Sequence, residues 1–150
     1  MMIDAKKYLL KVQKLDKLIQ NKIAEVEQWR AMALSTTSRL SEDKVQASGS
    51  QTKMADAVAK YVDLENEIDK LIDRLIDERK DIIAVIEQLP PIEYDVLHKK
   101  YIQYDKYEDF KSIASEYGQS YSWATTVHGR ALEQVRAILE AQNAENSLLV

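Results

Sequence analysis

The sequence predicts an all-α protein. A long antiparallel helical hairpin or coiled-coil arm is expected over residues 1–89, a carboxyl-terminal helix-turn-helix over 90–140 and a frayed tail over 141–150. Three observations lead there. Residues 3–34 and 54–89 carry apolar side chains at three- and four-residue steps, the spacing of one helix face. A tandem proline, Pro90-Pro91, closes the second stretch. Beyond it come a short helical pattern, a turn containing Gly118 and a longer helical pattern. The 150 residues include only 3 Gly and 2 Pro, and 31% are charged, a composition that suits long helices.

The first helix is read from Tyr8, Val12, Leu15, Ile19, Ile23, Val26, Trp29 and Ala33, with Leu9, Leu18 and Met32 widening the stripe. At a rise of ~1.5 Å per residue it would run roughly 45–50 Å. STTSRLSEDKVQASGSQTK, residues 35–53, has hydroxyls, amides and a glycine but no apolar period, and reads as a flexible connection. So long a loop is unusual inside a compact domain and suits a segment that orders against a partner.

The second helix shows Val58, Tyr61, Ile68, Ile72, Leu75, Ile82, Ile86 and Leu89 in register, interrupted by Glu65 and Arg79. Leu64, Leu71, Ile76, Ile83 and Val85 widen its stripe beyond a two-stranded seam, which suits a helix covered on two sides. The second cover is either a second subunit or the rest of the same chain; a homo-oligomer is expected, with a dimer favoured. Residues 1–34 hold seven basic and four acidic side chains, against five and ten in residues 54–89, so the two helices are electrostatically complementary.

Leu89 precedes a proline and is pushed out of the α region, whereas a proline suits the first turn of a following helix. IEYDVLHKKYIQY, residues 92–104, then places Val96, Leu97, Tyr101 and Tyr104 at helical spacing. After the polar break DKYED, Asp109 is expected to cap FKSIASEY, and Ser120 to cap the last helix. Gly118 supplies the positive φ of a tight turn between them. Phe110, Ile113, Ala114 and Tyr117 form one face of the shorter helix; Ala124, Val127, Ala131, Leu132 and Val135 form one face of the longer. A short helix, a four-residue turn with Gly and a longer helix make the helix-turn-helix pattern. The side left over on the longer helix holds Tyr121, Ser122, Thr125, Thr126, Gly129 and Arg130.

Other chemistries find little support. There is no Cys, so disulfides and thiolate metal sites are excluded. His98 and His128 lack ligand partners at metal spacing, and His128 reads as a surface or helix-packing residue within reach of phosphate. The tyrosines from Tyr94 to Tyr121 read as the packing of a small core, since stacking on single-stranded bases needs a basic groove. DLENEIDKLIDRLIDERKD reads as a solvated helix face, not a metal cluster. Gly129 inside a helix costs about 1 kcal/mol against Ala, which points to close approach by another helix or a DNA backbone. No nucleophile–base pair or phosphate loop is present, so neither an enzyme nor a cofactor is expected. MMIDAKKYLLKVQKLDKL interleaves charge with apolar residues, so neither a signal peptide nor a membrane span is expected, and nothing forbids a cytosolic location. Residues 90–150 carry six basic and nine acidic groups, without the surplus that drives non-specific DNA affinity.

LPPIEYDVLHKKYI followed by DFKSIASEYGQSYSWATTVHGRAL resembles the fourth region of bacterial sigma factors, without a gap from Asp109 to Val135. It is more similar to small phage and prophage regulators of the ArpU type. These join a sigma-like helix-turn-helix to an amino-terminal helical region and share Trp123, HGRAL at 128–132 and the stretch QASGSQTKMADAVAKYVDLENEIDKLIDRL. The resemblance implies a DNA-binding regulator of phage or prophage late transcription that acts, in the cytoplasm of a bacterial host, on double-stranded DNA with host RNA polymerase. It implies Tyr121, Ser122, Thr125 and Thr126 as base-facing residues, since hydroxyls can bond base edges and a Thr methyl can meet a thymine methyl. It implies Lys111, Trp123, Arg130 and Arg136 beside the DNA backbone. So weakly basic a reading face implies affinity borrowed from a second subunit or from polymerase. Two other readings are a phage terminase small subunit, which would form a ring, and a helical adaptor that binds protein rather than DNA.

Overall fold

The computed structural model describes residues 2–42, 47–103 and 106–149, and every regular element among them is helical. The protein is all-α. Its elements are α1 (Ala5–Leu9), α2 (Lys11–Glu42), α3 (Ala47–Ile86), α4 (Pro91–Leu97), a π-helical turn (His98–Ile102), α5 (Phe110–Glu116) and α6 (Tyr121–Leu148). The chain divides into two compact units: Leu15–Leu75, and Met1–Lys14 together with Ile76–Val150.

The Leu15–Leu75 unit is a two-helix hairpin. Ile19, Val26, Leu64 and Ile68 are buried in one cluster, bordered by Trp29, Tyr61, Leu71 and Leu75. Lys22 pairs with Glu67 at 2.8 Å, whereas Arg30, two turns on, lies over the Tyr61 ring at 5.3 Å and pairs with Glu65. Rising numbers in α2 thus meet falling numbers in α3, and the helices are antiparallel, as the sequence predicts. These ion pairs lie at the surface, where water and salt screen them; the apolar cluster holds the hairpin.

The 35–53 stretch differs from expectation. Residues 35–42 continue α2 and residues 47–53 lie in α3, while 43–46 fall outside the described residues. A hydrophobic period reports which residues are buried, not whether the backbone is helical. No proline interrupts this stretch, and residues without an apolar period can still extend a helix nucleated elsewhere.

The other unit gathers the chain's two ends with the last turns of α3. The expected boundary at 89/90 is displaced to 75/76, and the first 14 residues join the carboxyl-terminal part. Burial explains it: Leu9, Val12, Ile82, Val85, Ile86 and Leu89 are buried in the same unit as Val96, Leu97, Tyr101, Ile102, Ala131 and Val135. Polar anchors support the packing. Gln13 Nε2 donates to the Lys100 carbonyl at 2.7 Å, and Arg79 donates to the Ile102 carbonyl, an acceptor left over at the end of the π-helical turn. Asp4 caps α1 by accepting from the Lys7 N–H at 3.1 Å. α3 ends at Ile86, short of the tandem proline, and Pro91 occupies the first position of α4. The expected tail also differs: α6 continues to Leu148, with every described residue from Glu140 onward exposed. AQNAENSL contains no breaker, so the helix outruns the last residue that it buries.

Candidate nucleic-acid interface

Both helices after the polar break begin where the sequence places them. Asp109 accepts from the Ser112 N–H at 2.8 Å and Ser120 accepts from the Trp123 N–H at 3.1 Å, each satisfying an orphan donor of its helix. Between them Gly118 adopts φ 62°, a conformation that costs an L side chain about 1–2 kcal/mol. The Gln119 N–H returns to the Ala114 carbonyl at 2.9 Å and closes the end of α5. Val96 of α4, Ile113 of α5 and Val127 of α6 form one buried cluster, bordered by Tyr117 and Trp123.

On α6 the buried residues Ala124, Val127, His128, Ala131, Val135 and Leu139 follow one face. Ser122, Thr126, Gly129 and Glu133 are exposed at three- and four-residue steps on the opposite side. Tyr121 is 61% exposed at the helix start, with its ring edge-on to Phe110 at 6.0 Å. The expected base-facing residues Tyr121, Ser122 and Thr126 are thus accessible together. Thr125 is half-buried, and its hydroxyl donates to the Ser122 carbonyl at 3.0 Å.

The expected backbone contacts fare differently. Lys111 is exposed on the first turn of α5, with no ion-pair partner among the described residues. Trp123 is half-buried against the Tyr117 ring at 5.1 Å, which makes it part of the core's border. Arg130 donates from Nε to Glu93 Oε1 at 2.7 Å; its own side chain is about half exposed, but that of Glu93 is only 7% exposed. Arg136 pairs with Glu133 at 2.7 Å, approaches Glu140 at 4.0 Å and contacts Met2 Sδ at 3.6 Å. Arg130 and Arg136 are therefore both engaged by carboxylates of their own chain. Nothing in the sequence spacing ties Arg130 to Glu93, 37 positions away.

Two further groupings were not read from sequence. Of the two readings of His128, surface or helix-packing, the structure bears out the second, since the residue is buried. Its Nε2 lies 2.6 Å from the Tyr101 hydroxyl, and its ring meets Phe110 edge-on at 4.8 Å. Burial, with Lys100 and Lys6 adding to it, lowers the imidazole to about 4, and burial pushes the Tyr101 hydroxyl up to about 12. Lys100 sits over the Phe110 ring at 4.1 Å. At the other end of α5, Lys99 bridges Asp95 at 2.8 Å and Glu116 at 2.7 Å, and Tyr117 donates to Asp95. Burial by itself would raise the Asp95 carboxyl, but the bonds from Lys99 and Tyr117 hold it below the ordinary range. These contacts fix α4 against α5 and α6.

Gly129 does not mark a close approach within the chain: a β-carbon built there meets nothing within 4 Å. Among the described residues no three His, Asp or Glu gather as a metal site, and no helix is long and apolar enough to cross a membrane. No protein-family model, curated protein or solved structure matches the chain.

Proposed function

We propose that the protein is a DNA-binding regulator of phage or prophage transcription that reads duplex DNA with the amino-terminal half of α6. One observation carries this reading. The short helix α5, the turn at Gly118 and the long helix α6 leave Tyr121, Ser122 and Thr126 exposed together, at the start of a helix whose other side is buried. That is the arrangement a recognition helix needs. The α6 backbone N–H groups and Lys111 of α5 would meet phosphate. Host RNA polymerase and a second copy of the chain are the proposed sources of additional affinity. In a salt titration on duplex DNA, Lys111→Ala should weaken binding to all sequences alike and reduce the log–log salt slope by about 1. An unchanged slope and affinity would remove Lys111 from the interface.

A protein-binding adaptor is the second reading, favoured by the ion pairs of Arg130 and Arg136 and by Glu133 on the exposed strip. If no duplex binds above the affinity of an anionic polymer such as heparin, this reading replaces the first.

A further inference from the structure

The Leu15–Leu75 hairpin has two helices and more apolar surface than one seam can cover. On one side two grooves meet at Arg30. The first, about 320 Å³, is lined by Ile23, Val26, Glu27, Arg30, Glu65, Ile68 and Asp69. The second, about 300 Å³, is lined by Arg30, Ala33, Leu34, Met54, Val58 and Tyr61. Leu34 is 70% exposed, and Ile23 and Val58 are exposed as well. In α3, Ile72 lies seven residues beyond Glu65 and is exposed, so an apolar side chain follows the first groove on the same helix face. From Ile23 to Leu34 it spans about three helical turns.

Its charge selects the occupant. Three carboxylates and one arginine line the first groove. Arg30 is taken by Glu65, and among the described residues Glu27 and Asp69 have no basic partner. A second copy related by a two-fold axis would bring the same lining, three carboxylates against one arginine, and so add charge of the same sign to the groove. A partner that carries apolar residues at three- and four-residue steps, with lysine or arginine beside them, would fill the strip and neutralise both carboxylates.

We infer that this face of the hairpin docks a basic amphipathic helix from another protein. The proposal is independent of DNA binding by α6. The probe is a fluorescent peptide of about four helical turns, with leucines at three- and four-residue steps and lysines between them. Its control has the same composition in scrambled order. Binding to the full chain is followed by anisotropy at physiological salt. The patterned peptide should bind saturably at one per chain and at least tenfold more tightly than the scrambled one. The pair Glu27→Lys and Asp69→Lys, both exposed at the groove, should weaken it about tenfold, and Val58→Asp should weaken it likewise. Circular dichroism would check that helix content is retained. Equal binding of the two peptides, or an affinity untouched by the charge reversal, would overturn the proposal. So would sedimentation of the free chain as a dimer that Val58→Asp dissociates, because a second copy would then occupy the groove.

Discussion

Acid should loosen the unit that carries α6 before Asp95 and Glu116 titrate, and His128 should be the cause. The imidazole is buried against Tyr101 and Phe110 and lowered to about 4 from an ordinary 6.5. In the unfolded chain it regains the ordinary value. Between pH 6.5 and pH 4 the unfolded state therefore binds a proton that the folded state refuses, and stability falls as pH falls. The stabilisation is present above pH 6.5 and fully lost below about 4. A single site with these two values gives a loss of about 2 kcal/mol between pH 7 and pH 5, within a ceiling near 3 kcal/mol. His98 is also lowered, by burial and by Arg79, and acts in the same direction. The His128 share must therefore be isolated by substitution. Asp95 and Glu116, both held low by Lys99, contribute only at lower pH. The assay is urea unfolding at several pH values between 5 and 7.5, read by Trp123 fluorescence in a Trp29→Phe background. His128→Gln keeps an acceptor for the Tyr101 hydroxyl while removing the titration, so its stability should change by about 2 kcal/mol less over this range. Equal pH slopes in the two proteins would refute the burial argument.

Three other substitutions separate stability from binding. Gly129→Ala should stabilise the protein by up to about 1 kcal/mol, because the site is helical and open; a thermal melt that shows destabilisation would mean that the site is not a relaxed helix. If DNA approaches α6 there, the same variant should also lose duplex affinity in an anisotropy titration. Arg130→Ala should cost about 1–3 kcal/mol in urea unfolding, since it strips a buried carboxylate of its charge-assisted hydrogen bond; loss of DNA binding in that variant would thus need a fold check first. Ser120→Ala should cost about 1 kcal/mol by removing the cap of α6, and a neutral result would show that the cap is dispensable.

Local chemistry was legible in the sequence wherever a short-range rule decided it. Asp109, Gly118 and Ser120 could be assigned from their own neighbours, because capping and positive φ are settled within four residues. The two long stripes gave the hairpin, since burial imposes the period. What escaped was set by partners far away in sequence. Glu93 holds Arg130 across 37 positions, and Tyr101 holds His128 across 27; no spacing rule links either pair. The stretch around 35–53 was misjudged because it has no hydrophobic period, and helical backbone does not require one. The unit boundary near Ile76 was hidden because the apolar stripe of α3 continues through it unchanged.

The central claim is that Tyr121, Ser122 and Thr126 face DNA. It is tested most directly by selecting duplexes from a random pool with the full chain, beside a Ser122→Glu, Thr126→Glu variant that alters only exposed side chains. The account predicts a recurring sequence enriched by the unmodified protein and absent from the variant's selection. Enrichment of the same sequence by both proteins, or by neither, would contradict it.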